Sequence, residues 1–360
     1  MKLQNLFIEN FRNFSKLDIN FSPEANILVG NNAQGKTNCL EAIYFLAYSK
    51  SYRTSNLFNL VRKGYQISRV SGITENNSIT NELVILIEDN LKKLYADKKL
   101  VDLRNYLGKL KIILYEPYTL IISGIPNQRR RYLDRVIVSL DHGYLINLAN
   151  YNRVVQHRNL LLKKAYSEKE KDAWNEQFIR YSVAVWQARI EYLKKICTEI
   201  AKLKVIFFKD TEEIEIGLKT YPQLPIEQNM WDSEIRKHFE LMKDKERQFG
   251  FTILGPHRDD LVILMNGMDM KAFGSSGQLK AILILMTLAQ INMFYDVFGE
   301  FPVLICDDVD TELDEQKMQS FLSYLKPGIQ VFLSTTNREI KKFLPTAEIY
   351  NVSEGIINKQ

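Results

Sequence analysis

Three short stretches of this chain carry residue types whose spacing points to phosphate chemistry. Gly30-Asn31-Asn32-Ala33-Gln34-Gly35-Lys36-Thr37 follows the Gly-x-x-x-x-Gly-Lys-Thr pattern of a phosphate-binding loop. In such a loop, successive backbone N–H groups and the positive end of a helix dipole face the phosphates. Lys36 would reach the β- and γ-phosphates and the Thr37 hydroxyl would ligate Mg²⁺, so the expected ligand is a nucleoside triphosphate with its metal. The second stretch, Val303-Leu304-Ile305-Cys306-Asp307-Asp308, is an apolar strand ending in two carboxylates. Asp307 suits holding the metal through water, and Asp308 suits polarising the attacking water as a general base. The third, Ser275-Ser276-Gly277-Gln278, opens a long helical pattern with a capping residue, an arrangement that binds anions by the same physics as the loop.

Each stretch needs an element to place it. Ala25–Val29 reads as a short buried strand before the loop, and Lys36–Tyr48 as the helix after it. Strand texture covers residues 2–9, 16–21, 25–30, 82–88 and 93–96. Helical periodicity then dominates, over 144–166 and 172–204, with a turn-prone gap at 167–172 that predicts a helical hairpin, and again over 231–243. Strands are expected at 249–254 and 260–266, a strong helix over Ser276–Phe298, and strands at Val303–Cys306, 330–334 and 348–352. The fold class is therefore α/β, with a mixed sheet around a phosphate-loop core. One domain is built from residues 1–115 and 250–360 and is interrupted by a mainly helical insertion over 116–249. Sustained heptads are absent, which excludes a long coiled-coil arm.

Composition narrows the classes. The 360 residues are 46% hydrophobic and 25% charged, an ordinary globular balance. A net charge of +5, from 48 basic and 43 acidic residues, is too mild to announce a nucleic-acid binder but permits a local basic patch. Cys39, Cys197 and Cys306 are widely spaced, which argues against a disulfide framework or zinc site and for a reducing compartment. The amino terminus alternates like a strand, and no run of about 18 apolar residues is evident. The expected address is the cytoplasm, with no membrane partner.

A Ser-x-Gly-Gln helix start some thirty residues before the acidic pair resembles the signature motif of ABC-type ATPases. That resemblance implies ATP as the ligand, and a head-to-tail dimer in which Ser275, Ser276, Gly277 and Gln278 of one copy close over the ATP of the other. It also implies a D-loop at Asp314 and a switch position at Thr335 or Thr336, where the class usually has histidine. More specific blocks are Asn10-Phe11-Arg12-Asn13, Leu40-Glu41-Ala42-Ile43, Gly124-Ile125-Pro126-Asn127-Gln128-Arg129-Arg130-Arg131, Gln156-His157-Arg158-Asn159 and Gly255-Pro256-His257-Arg258-Asp259-Asp260. With these, the chain resembles the RecF family from residue 1 to about 340. The resemblance implies a bacterial protein of recombinational DNA repair, replication-gap processing and SOS induction. It implies weak, DNA-stimulated ATP hydrolysis, an ATP-driven homodimer, binding of single-stranded, double-stranded, gapped or junction DNA, and partners RecR and RecO that help load recombinase.

Two departures stand out. Pro117-Tyr118-Thr119 replaces the family's usual Pro-Glu-Asp, leaving Glu116 as the nearby acid, and Cys306 replaces a larger aliphatic. Electrostatic DNA contact is expected from Arg129, Arg130, Arg131 and Arg158, with Arg135, Arg153, Lys163 and Lys164 around them. The alternatives are a nucleotide-gated ABC ATPase subunit acting as a transporter motor, or a scaffold without a DNA role.

Overall fold

The computed structural model describes residues 1–163 and 168–360. The chain divides into two units, Met1–Pro117 with Lys280–Gln360, and Tyr118–Leu279.

The first unit holds two six-stranded sheets. One is antiparallel, ordered β2-β1-β4-β5-β6-β7: β1 (Lys2–Phe11), β2 (Phe14–Asn20), β4 (Ile67–Asn76), β5 (Ile79–Glu88), β6 (Leu91–Ala96) and β7 (Lys99–Val101). The other is ordered β15-β14-β3-β13-β12-β8: β3 (Ala25–Val29), β8 (Ile112–Tyr115), β12 (Val303–Cys306), β13 (Val331–Thr335), β14 (Glu348–Ser353) and β15 (Ile356–Lys359). Its strands are parallel except for the β14–β15 pair. All five residues of β3 are buried, as expected of a central parallel strand covered on both faces. Helix α1 (Lys36–Tyr48) packs against β1, β4 and β5 of the first sheet and β13 of the second. Leu40, Ile43, Phe45 and Leu46 there share one core with Leu6, Ile8 and Ile85 from one sheet and Leu28, Ile305 and Phe332 from the other. A short helix α2 (Leu103–Tyr106) follows β7.

Strand β4 escapes its sequence pattern because small polar residues alternate through it. Ser71 is 6% exposed, and a Cβ at Gly72 would lie 2.6 Å from the Asn5 carbonyl of β1. Glycine is what lets β1 and β4 approach.

The second unit contains α3 (Tyr118–Ile121), α4 (Pro126–Leu140), α5 (His142–Leu162), α6 (Glu168–Leu203), α7 (Trp231–Phe249) and α8 (Met270–Phe273). It also holds a three-stranded sheet ordered β11-β10-β9: β9 (Ile214–Lys219), β10 (Asp260–Met265) and β11 (Met268–Asp269). Helices α5 and α6 pack as the expected hairpin. Residues 168–172, expected in its turn, belong to α6, and Ser167 lies outside the described residues.

The domain limits need correction. The first division falls after Pro117, two residues from the expected position, but the second lies after Leu279 instead of near 249. Antiparallel pairing of β10 with β9, from Asp260↔Lys219 to Met265↔Ile214, ties the 260s to the helical unit. β9 alternates cleanly, with Ile214, Ile216 and Leu218 against Glu215, Gly217 and Lys219, but it is only six residues long and its pairing with residues some forty positions on is not a local signal. The expected strand at 249–254 is absent; α7 runs on to Phe249 and a turn follows.

Helix α9 (Ser276–Phe298) opens in the second unit and continues in the first. It is long and apolar enough to cross a membrane by length and composition, although polar residues such as Lys280, Gln290 and Asn292 interrupt its apolar run. However, 72% of its most apolar window is buried inside the protein, so it is a core helix. Two further helices, α10 (Val309–Glu312) and α11 (Glu315–Ser323), follow β12.

Candidate nucleotide site

The loop at 30–37 joins β3 to α1, and its shape is set by close approach. A Cβ at Gly30 would stand 2.3 Å from the Val352 carbonyl of β14. Gly35 has φ 119°, and a Cβ there would lie 2.6 Å from Asn13 Nδ2. Ala33 takes φ 64°, a left-handed conformation that costs a non-glycine residue energy and fits a loop folded around a ligand. Two neighbours brace the loop. Asn13, in the β1–β2 turn, donates to the Gln34 carbonyl at 3.1 Å and accepts from Asn38 Nδ2 at 2.8 Å. Gly355 and Glu354, in the β14–β15 turn, donate backbone N–H groups to the Gln34 carbonyl and Oε1 at 3.0 and 2.7 Å. Asn31, Asn32 and Ala33 remain exposed at the crest. Lys36 is only 4% exposed, and its ammonium donates to the carbonyls of Gly30 and Asn31 at 2.8 and 3.1 Å, inside the curl of the loop.

The acidic pair meets the loop directly. Thr37 Oγ1 donates to Asp307 Oδ1 at 3.0 Å, bringing together the two side chains expected to flank the metal. Ser334, at the end of neighbouring β13, donates to the same oxygen at 2.6 Å and accepts from the Asp308 backbone N–H at 2.7 Å. Tyr52 donates to Asp307 Oδ2 at 3.2 Å. Asp308 sits at φ 44°, so the chain turns sharply where β12 ends. Burial, and next the negative charge of Asp307, raise the Asp308 carboxyl above its usual range, with Lys36 pulling it down. A raised carboxylate beside a phosphate loop has the proton affinity a general base needs.

The two threonines expected at the switch position differ in setting. Thr335 is fully buried, and its hydroxyl is engaged within its own loop, donating to the Asn337 carbonyl at 3.2 Å. Thr336 is the exposed one. Asp310 Oδ2 accepts from its backbone N–H at 2.9 Å and its hydroxyl at 2.6 Å, fastening this loop to α10. Asp314 is the N-cap of α11, accepting from Lys317 N at 2.9 Å; the Lys317 ammonium first, and that backbone bond next, hold its carboxyl below the usual range.

Sequence reasoning missed the roles of Tyr52, Ser334 and Asp310, and the partnership of two blocks it had noted. Glu41 on α1 is fully buried. Arg12 grips both its oxygens at 2.7 and 2.8 Å, with Arg53 at 3.2 Å and Ser51 at 2.5 Å. The blocks around Arg12 and Glu41 signalled importance, but only the fold shows that they are one ion pair one turn along α1 from Thr37.

In the second unit, Ser275 and Gln278 form a reciprocal cap. Ser275 Oγ accepts from Gln278 N at 3.3 Å, and Gln278 Oε1 accepts from Ser275 N at 3.0 Å. Ser275 and Ser276 are exposed, and Gly277 is partly so. The helix N-terminus is thus formed and open to an anion.

Two arginines expected to touch DNA do not face solvent. Arg129 is 1% exposed and pairs with both oxygens of Asp260 at 2.6 and 2.7 Å while donating to the Gly124 carbonyl. Arg158 is 3% exposed and pairs with Glu246 at 2.9 Å, with further bonds to Thr252 and Asn175. Both charges are spent holding the helical unit together. Arg130 is half-buried and donates to the Asp259 carbonyl at 2.6 Å, Arg131 is exposed, and Lys164 lies outside the described residues. The block at 255–260 serves the same framework. Asp259 accepts from Trp186 Nε1 at 2.9 Å and from Arg189 at 2.7 Å, while burial lifts its carboxyl to about 7. His257 meets the Tyr151 hydroxyl at 2.5 Å, and burial depresses it to about 4.

A shared family model accounts for nearly all of the chain. The RecF/RecN/SMC N-terminal domain matches residues 2–357. DNA replication and repair proteins RecF are 34% identical in Macrococcus caseolyticus, covering 99% of this chain and 100% of that protein, and 32% identical in Halalkalibacterium halodurans, covering 100% of each. The chain belongs to the RecF family. A solved structure of the recombination mediator protein RecF with ATP, of the RecFOR pathway, is 28% identical with a TM-score of 0.89, covering 100% of this chain and 99% of that one. An SMC head bound to the C-terminal winged-helix domain of ScpA is 15% identical with a TM-score of 0.56, a likeness of fold: the ABC-type ATPase head.

Proposed function

We propose that this chain is an ATP-gated DNA-binding protein of recombinational repair. The observation that carries the reading is the junction of Thr37 with Asp307 at 3.0 Å, which assembles the loop and the acidic pair into one site inside a RecF-family chain. The donors fit Mg²⁺: a hydroxyl and a carboxylate, both hard oxygens, with room for phosphate and water ligands. Bound there, Mg²⁺ would neutralise charge on the β- and γ-phosphates. Lys36 and the loop N–H groups bind the phosphates. Ser334 and Tyr52 orient Asp307, and Asp308 takes the proton of the attacking water.

The exposed, capped Ser275 helix start resembles the ABC signature motif, and on that resemblance we assign it to the ATP of a second copy, in a head-to-tail homodimer closed by two ATP. Turnover is slow, since no histidine stands at the switch, and DNA stimulates it. The dimer binds single-stranded, double-stranded or gapped DNA and acts with RecR and RecO in loading recombinase at replication gaps, upstream of SOS induction. Light scattering tests this on wild type, Lys36→Met and Ser275→Arg, with and without gapped DNA. Wild type should dimerise only with ATP and Mg²⁺, and both variants should stay monomeric. A wild type that remains monomeric with ATP refutes the clamp. A DNA-indifferent dimerisation and turnover would favour the scaffold or motor alternative.

A further inference from the structure

The turn that closes α7 carries an aromatic and basic surface unrelated to the nucleotide site. Gly250, at φ 69°, caps the helix and turns the chain so that Phe249 and Phe251 come face to face. Their ring centroids are 5.7 Å apart with planes 15° from parallel. Neither ring is covered: Phe249 is 53% and Phe251 38% exposed. Arg258 lies with its guanidinium carbon 5.0 Å from the Phe251 centroid and is fixed there by a 3.0 Å bond to the Thr252 carbonyl. The stem of Lys163 runs against the turn, 3.3 Å from where a Gly250 Cβ would be.

Exposed charge around the turn is mainly basic. Lys163, Lys245, Arg247 and Arg258 are exposed. Of the four acids in residues 244–260, Glu246 and Asp259 are 3% and 0% exposed and paired with Arg158 and Arg189, Asp260 is paired with Arg129, and Asp244 is exposed. An excess of exposed cations beside open, parallel aromatic faces matches the chemistry of unpaired nucleotides, whose bases stack and whose phosphates seek cations. A duplex keeps its base faces inside and offers the rings nothing. A protein partner of matching charge would need acidic groups but gains nothing from a ring preset by a guanidinium.

We propose that Phe249 and Phe251, flanked by Arg258 and Lys163, form a stacking platform for an unpaired base of single-stranded DNA. The site rests on the DNA-binding reading above and adds to it a means of telling single strands from duplex. It also relocates the DNA contact from the buried Arg129 and Arg158 to a surface that is open.

Fluorescence anisotropy with labelled oligo-dT and with a blunt duplex tests the platform on the full chain. Phe249→Ala with Phe251→Ala should weaken oligo-dT binding by about 5- to 150-fold, the equivalent of about 1–3 kcal/mol of stacking, and leave duplex binding within about twofold. Arg258→Gln should reduce the slope of log affinity against log salt for oligo-dT by about 0.7. Phe251→Trp should keep the affinity and show its emission quenched as oligo-dT is added, a readout that does not depend on losing binding. An alanine double variant that binds oligo-dT as wild type does, or loses both probes equally, overturns the platform while sparing the general reading. A wild type that binds neither probe overturns both.

Discussion

Replacing Arg158 by alanine separates a structural arginine from a DNA-binding one. Arg158 and Glu246 are each 3% exposed and lie 2.9 Å apart. The guanidinium also donates to Thr252 Oγ1 at 2.7 Å and Asn175 Oδ1 at 2.9 Å, and rests over Phe239 and Phe178 at 4.4 and 5.0 Å. Removing it strands the Glu246 carboxylate in the interior, a loss on the order of 3–5 kcal/mol. For a unit of this size, taking about 4 kcal/mol at roughly 2–4 °C per kcal/mol, its melting midpoint should fall by about 8–16 °C. The pair Arg158→Met with Glu246→Gln should recover at least half of that loss, because the interior then holds no unpaired charge. Glutamine is chosen because Glu246 Oε1 also accepts from the Ile253 N–H at 3.0 Å. Differential scanning calorimetry reads the midpoint, and anisotropy on the folded variant reads DNA affinity. An Arg158→Ala protein that melts within about 1 °C of wild type yet binds DNA tenfold more weakly would refute the structural assignment.

Two further outcomes follow from the geometry. His257 has its proton affinity lowered by burial from 6.5 to about 4, so the unfolded chain binds a proton that the folded one refuses between those pH values. Its contribution, about 3 kcal/mol, is intact above pH 6.5 and lost as pH falls toward 4. The difference in urea stability between wild type and His257→Gln should therefore narrow or reverse across that window, and a pH-independent difference would contradict it. Gly30→Ala should cost at least about 1–3 kcal/mol, since the methyl would enter the space of the Val352 carbonyl, a backbone atom that moves only with β14. Equilibrium titration with a fluorescent ATP analogue should show at least a tenfold weaker affinity, and wild-type affinity would mean that the loop is not set by that contact.

How much was legible in the sequence depended on whether the signal was local. The loop, α9 and β12 were readable residue by residue, because glycine spacing, a cap and an unbroken apolar run are local patterns. The Thr37–Asp307 meeting was foreseeable only through the roles assigned to each motif; 270 positions separate them. β4 was hidden by its serines and Gly72; β9 was missed although Ile214, Ile216 and Leu218 alternate with Glu215, Gly217 and Lys219, and missing its pairing with β10 displaced the domain limit by some thirty residues. Arg129 and Arg158 misled because a cationic run reads identically whether its partners are solvent or a distant carboxylate. Their partners, Asp260 and Glu246, lie 131 and 88 positions away.

The central strand of the nucleotide unit has both its neighbours at the far end of the chain. Ala25–Val29 pairs with Val331–Thr335 on one side and Glu348–Ser353 on the other. On a ribosome adding roughly 5–20 residues per second, the loop's own strand therefore waits about 15–60 s for its first neighbour. Within that interval the helical unit is completed at Leu279 and free to fold, while the four apolar residues and the Asn26 of β3 stay without a sheet. A prematurely terminated product would own the whole phosphate-loop motif and still lack the strands that shape it. The shape of the loop is thus set by strands made some three hundred residues after it.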